Sequence, residues 1–151
     1  MISDKRYNVR VYALLLNEKD EVLISDERRN GVSFTKFPGG GLEWGEGTND
    51  CLKRELQEEL EIEVELDELF YVNDFFQKSA FRDTDQLFSF YYLVSLVSGV
   101  IVTHQHEVPL TIEGEQFRWV KRSELSESLF TFPIDKIVAA RLLDRTARIK
   151  E

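Results

Sequence analysis

The sequence predicts a mixed α/β domain, and three observations carry that reading. Several short segments have the composition or the polar–apolar alternation of strands, one strongly amphipathic helix lies among them, and a second helical pattern closes the chain. The 151 residues suit a single domain, 1–151, and a hydrophobic content of 42% is enough to build its core. No internal repeat, low-complexity tract or flexible linker marks a boundary within it.

Tyr7 to Leu16 is rich in Val, Tyr and Leu and reads as the first strand. The polar turn Asn17-Glu18-Lys19-Asp20 leads into a shorter strand, Glu21 to Ser25, which suggests a hairpin. A polar loop is expected from about Asp26 to Lys36, followed by a glycine-shaped loop at Pro38-Gly39-Gly40-Gly41 with Gly45 and Gly47 beyond. Thr48 is the expected N-cap of a helix running to about Leu60, with Asn49 and Asp50 in its first turn, where negative charge suits the helix dipole. Alternation at Glu61 to Leu66 predicts a half-buried strand, and strand-like segments recur at Phe70 to Phe76, Leu87 to Leu96 and Gln116 to Val120. From Pro133 to Ile149 the pattern predicts a closing helix with Ile134, Ile137, Val138, Leu142 and Leu143 on one side.

Charge narrows the function classes. Nineteen Lys and Arg stand against 28 Asp and Glu, a formal net charge of −9 with a pI near 4.8. That balance disfavours broad contact with a nucleic-acid backbone, which requires a basic footprint, so no nucleic-acid polymer is expected as partner. A small anionic substrate is still admissible if a metal ion supplies local positive charge. Cys51 is the single cysteine, so no intrachain disulfide can form. The amino terminus lacks signal-peptide anatomy and no apolar run is long enough to cross a bilayer, so the expectation is a cytoplasmic protein with no membrane contact.

On a helical wheel, Leu52, Leu56 and Leu60 form an apolar stripe, while Lys53, Gln57 and Glu61 fall on a solvated face. Glu55, Glu58 and Glu59 occupy the remaining arc, so three carboxylates cluster beside the buried stripe. Their repulsion, about 0.2–0.5 kcal/mol per pair in water and more near a core, is relieved by a raised pKa, a basic partner such as Arg54, or a bound cation. Carboxylates are natural ligands of Mg²⁺ and Mn²⁺. A glutamate run alone is more often a wet helix face; the glycine loop at fixed spacing upstream argues otherwise.

Gly40, five residues, Glu46, seven residues, then Arg54-Glu55-Leu56-Gln57-Glu58-Glu59, with Ile62 beyond, closely resemble the signature of the Nudix hydrolases. The resemblance implies an α/β/α sandwich with a mixed β-sheet, the motif helix and a C-terminal helix. It implies a hydrolase acting on a pyrophosphate linkage with Mg²⁺ or Mn²⁺. Glu58 and Glu59 resemble the principal metal ligands, and Glu55 a further ligand or the general base. The backbone carbonyl of Gly39 resembles one that completes the coordination in some members, and Arg54 supports the carboxylates by pairing with Glu46 or a neighbour. A further glutamate from a later strand or loop often joins; Glu115 is the first choice, with Glu113 and Glu107 behind it. One position departs: Glu61 stands where the family usually has the glycine that ends the helix in a left-handed turn.

Such a site would activate water, polarise phosphoryl oxygens and clamp the substrate through its cation. The substrate implied is a nucleoside diphosphate linked to another moiety, and the sequence leaves triphosphates, nucleotide sugars, ADP-ribose and dinucleoside polyphosphates open. Gly40 belongs to the expected substrate-binding loop, and Lys36, Arg28, Arg29 and Arg82 are candidate phosphate contacts in expected loops. Phe75, Phe76 and Phe81 are candidate base-stacking residues, whereas Phe88 to Tyr92 reads better as sheet core. The competing class is a non-catalytic sensor of a nucleotide metabolite, which typically loses one of the glutamates and gains a DNA-binding segment. An isoprenoid diphosphate isomerase lacks support, since Cys51 lies inside the motif helix. The sequence sets no oligomeric state, and the resemblance leaves a homodimer open.

Overall fold

The computed structural model describes residues 4–104 and 106–145. In chain order its elements are β1 (Arg6–Leu15), β2 (Glu21–Arg29), β3 (Val32–Lys36), β4 (Gly39–Gly41), α1 (Thr48–Leu60), β5 (Glu63–Val72), β6 (Asp85–Ser98), β7 (Gly114–Lys121) and α2 (Pro133–Asp144). Two single-turn 3-10 helices, Arg122–Glu124 and Glu127–Leu129, precede α2. The chain divides into two compact units, Met1–Ala13 with Gly39–Gly99, and Leu14–Pro38 with Val100–Glu151.

The first unit holds a four-stranded mixed sheet in the order β4-β1-β6-β5. β4 is antiparallel to β1 and β5 to β6, while β1 and β6 run the same way, with Tyr7 against Phe88 and Tyr12 against Tyr91. The start of β1 is tied to β6 by Asp85, a buried carboxylate that accepts from Arg6 Nε at 2.9 Å and Asn8 Nδ2 at 3.1 Å. Helix α1 packs on β4 and β5. Its predicted stripe, Leu52, Leu56 and Leu60, is buried, and Cys51 is buried with it, whereas Lys53, Gln57 and Glu61 are exposed. Each of those leucines contributes about 1.5–3 kcal/mol through burial.

Several boundaries differ from the sequence reading for local reasons. Gly47, not Thr48, is the N-cap of α1, because the Asp50 carboxylate reaches back to accept the Gly47 N–H at 3.2 Å. The triple glycine is a short strand, with Arg10, Val11 and Tyr12 of β1 opposite Gly41, Gly40 and Gly39. The segments expected at Glu61–Leu66 and Phe70–Phe76 merge into the single strand β5, whose register against β6 shifts at Leu66/Glu68 and Leu69/Tyr71. At the helix end Glu61 takes the left-handed conformation itself, φ 55° and ψ 39°, and its N–H donates to the Gln57 carbonyl at 3.0 Å.

The second unit holds the antiparallel sheet β3-β2-β7. The stretch expected as a polar loop from Asp26 to Lys36 is instead a hairpin. Asn30 and Gly31 both have positive φ (53° and 80°) between the paired Arg29 and Val32, the geometry that suits a two-residue turn. Three of its polar residues, Asp26, Thr35 and Lys36, are buried. Asp26 accepts from Arg118 Nε at 2.6 Å, Thr35 Oγ1 at 2.7 Å and Gln116 Nε2 at 3.2 Å. The hairpin expected between the first two strands shrinks to one bridge, Leu16 with Val22, since β1 and β2 belong to different sheets. Helix α2 buries Ile134, Asp135, Val138, Ala139 and Leu142, while Leu143 is exposed. The part of the expected closing helix from 146 onward lies outside the described residues. No described helix is long and apolar enough to cross a membrane.

Candidate active site

Arg54 is the hub of the motif. Its Nη2 donates to Glu46 Oε1 at 2.7 Å and to the Gly41 carbonyl at 3.1 Å, and its Nε to Glu46 Oε2 at 3.0 Å. Nη1 reaches Glu55 Oε1 at 3.1 Å and Glu58 Oε2 at 3.3 Å. One guanidinium therefore gathers three carboxylates and a backbone carbonyl from β4, the turn before α1, and α1 itself. The bidentate grip holds the Glu46 carboxyl well below its ordinary range, at about 2, helped by the Glu43 backbone. Arg54 in turn is raised further above its own range, first by Glu46 and then by Glu55.

The turn before the helix is built to hold Glu46 in place. Its N–H donates to the Glu43 carbonyl at 3.3 Å while its own Oε1 accepts the Glu43 N–H at 2.9 Å, around Gly45 at φ +95°. Behind it, the Cys51 thiol donates to the Gly41 carbonyl at 3.5 Å, and burial pushes its pKa up to about 12, so it is no nucleophile at neutral pH.

Two glycines are required by close approach. A Cβ on Gly39, which sits at φ +146°, would run into the Val11 carbonyl and Tyr12. A Cβ on Gly40 would lie 2.5 Å from both carboxylate oxygens of Glu55. Glu55 thus rests directly on β4, its side chain mostly covered, whereas Glu58 is largely exposed and Glu59 is half-buried with Oε2 shielded from solvent.

Glu115, Lys36 and Arg28 fall in the second unit. Glu115 on β7 accepts the Ser25 hydroxyl at 2.5 Å and lies 3.6 Å from Lys36 Nζ, and Lys36 is itself buried at the end of β3. Arg28 lies on β2, not in a loop: it donates to Ser33 Oγ at 2.9 Å and the Leu110 carbonyl at 3.3 Å, and pairs with Glu113 at 3.5 Å. Ser25, the partner of Glu115, was invisible to the sequence reading, as was Arg10 on β1. The one signal for Arg10 is a cation interrupting the apolar run Val9 to Leu16.

Whether these residues suit a divalent cation can be judged from the donor set. Glu55, Glu58 and Glu59 offer hard carboxylate oxygens, and a single guanidinium serves Glu46, Glu55 and Glu58 together, so negative charge is in excess. Glu55 and Glu58 turn toward Arg54, and among the described residues no three Asp, Glu, His or Cys side chains already converge on a common point. By donor chemistry, hard carboxylate oxygens with negative charge in excess, the set suits a hard divalent cation.

A glycine strand, a carboxylate-bearing helix and an arginine bridging them form the frame of the site. The chain belongs to the Nudix family of pyrophosphohydrolases: the NUDIX domain model matches residues 6–142, spanning both units. Members of this family generally use divalent metal ions. Among curated relatives, an RNA pyrophosphohydrolase of Roseobacter denitrificans is 26% identical over 146 residues, covering 88% of each chain. An 8-oxo-dGTP diphosphatase of Haemophilus influenzae is 29% identical over 147 residues, covering 95% of this chain and 96% of its own. Among solved structures, the E. coli ORF135 protein superposes with a TM-score of 0.69 at 18% identity, covering 100% of this chain and 99% of that one. The MutT protein of Methanosarcina mazei gives 0.67 at 20% identity, covering 97% of each chain.

Proposed function

We propose that the protein hydrolyses the pyrophosphate linkage of a small nucleotide, a nucleoside diphosphate joined to another group, with Mg²⁺ or Mn²⁺. The observation that carries this reading is the Arg54 network, which joins Glu55, seated against Gly40, to Glu58 one turn further along the same helix. Glu55, Glu58 and Glu59 would hold the cation, with the Gly39 carbonyl as a further ligand. When bound, it would supply charge for the phosphoryl oxygens and an acidified water. The chain's own part is positional. Arg54 and Glu46 fix the helix against β4, and the bare surface of Gly40 seats Glu55.

The names of the two curated relatives define the first probes: 8-oxo-dGTP with the ordinary triphosphates, and RNA bearing a 5′ phosphate chain. Nucleotide sugars, ADP-ribose and dinucleoside polyphosphates complete the panel. Phosphate or monophosphate release is measured with Mg²⁺, with Mn²⁺ and with a chelator. Metal-dependent turnover of a small nucleotide supports the proposal. Turnover confined to RNA ends would replace the substrate class, and silence of the folded protein across the panel would favour a nucleotide-binding module.

A further inference from the structure

We propose that Arg10 is a substrate-binding residue whose two terminal amino groups grip a phosphate of the pyrophosphate-linked substrate. The inference rests on the hydrolase reading and adds to it a residue outside the motif.

Arg10 stands opposite Gly41 in the β1–β4 pairing, one position from the Val11–Gly40 pair. A Cβ on Gly41 would lie 3.0 Å from Arg10 Nη1, so it is the lack of a side chain there that lets the guanidinium lie across β4. The head group is aimed by Tyr12, whose hydroxyl accepts from Nε at 3.1 Å and whose ring centroid lies 5.9 Å from Cζ. Among the described residues, that bond to Tyr12 is the one hydrogen bond the Arg10 side chain makes. Nη1 and Nη2 thus have no acceptor, although the chain carries 28 acidic residues.

The contrast with Arg54 is informative. Arg54 spends Nε and both amino groups on Glu46, Glu55, Glu58 and the Gly41 carbonyl. It has nothing left for substrate. Arg10 is half-buried, pre-oriented and uncommitted, and its charge is favoured by Tyr12 and, to a lesser degree, by Glu55. An arginine fork held this way matches the paired oxygens of a phosphate, and its side-chain entropy is already partly spent.

Arg10→Met keeps the length of the stem and removes the fork; Arg10→Lys restores a point charge alone. Binding of inorganic pyrophosphate with Mg²⁺ is measured by calorimetry, and KM and kcat on the best panel substrate. Losing charge-assisted hydrogen bonds to phosphate predicts a Kd and KM about 10- to 100-fold higher in Arg10→Met, with kcat nearly unchanged. Arg10→Lys should recover part of that loss, and Tyr12→Phe, which frees Nε, should show a smaller rise. A folded Arg10→Met protein with wild-type Kd and KM overturns the proposal, as does a fall confined to kcat. The two readings separate cleanly. Pyrophosphate binding lost in Arg10→Met, in a protein that hydrolyses nothing, supports Arg10 and sinks the hydrolase. Hydrolysis with an indifferent Arg10 does the reverse.

Discussion

Glu61→Gly should stabilise the protein. Glu61 is the residue that ends α1 in a left-handed turn, at φ 55° and ψ 39°, where an L side chain costs about 1–2 kcal/mol. Glycine removes that cost but restores freedom to the unfolded chain, worth about 0.4–1 kcal/mol in the other direction. The side chain is exposed and its carboxylate sits at the negative end of the helix dipole, so its removal adds a few tenths, about 0.3 kcal/mol. The net is about 1 kcal/mol in favour of glycine, or a rise in Tm of about 2–4 °C for a domain of this size. Urea unfolding should show a higher midpoint at an unchanged slope. Glu61→Ala separates the parts, because it removes the charge and keeps the backbone strain, and should gain only the smaller increment. If Glu61→Gly leaves the midpoint unchanged or lowers it, the helix end is not strained and the reasoning fails.

Glu58→Gln keeps volume and removes a ligand charge at an exposed position, so turnover with Mg²⁺ should fall by at least about a hundredfold while the Tm stays near wild type; near-normal turnover would remove Glu58 from the metal site. Gly40→Ala places a methyl group against the Glu55 carboxylate and should cost about a hundredfold in kcat through displacement of that group, a loss detectable in steady-state kinetics before any large loss of stability. Glu46 and Asp85 are both depressed, Glu46 to about 2 by Arg54 and Asp85 by Arg6. Their stabilisation is therefore full above the unfolded carboxylate pKa of ~4 and is lost as pH falls toward their folded values. The gap in urea midpoint between wild type and Glu46→Gln should accordingly be widest near pH 7 and close in acid; a gap that persists at pH 2 would contradict the ion pair.

Periodicity made the motif helix legible, since Leu52, Leu56 and Leu60 can share one face only if the segment is helical. It also placed the long strands to within a few residues. It failed where polar residues are buried by pairing. Asp26, Ser33, Thr35 and Lys36 read as solvent-loving, yet Asp26 is enclosed by Arg118, Gln116 and Thr35, partners distant in sequence or hidden on the next strand. The Asn30-Gly31 pair is the local clue to that hairpin. In the site, the fixed spacing within one helix brought out Arg54 and the glutamates. Arg10 and Ser25 escaped because their significance depends on cross-strand neighbours, Gly41 in one case and Glu115 in the other.

The chain has two tryptophans, and they fall one in each unit: Trp44 fully exposed in the turn before α1, Trp119 half-covered on β7. Replacing either with phenylalanine leaves a single native fluorophore, red-shifted and quencher-accessible for Trp44, bluer and sheltered for Trp119. The molecule is thereby already labelled for optical work. Superimposable denaturation curves from the two single-tryptophan proteins would mark the units as one cooperative block, and separated curves would assign each unit its own melting step.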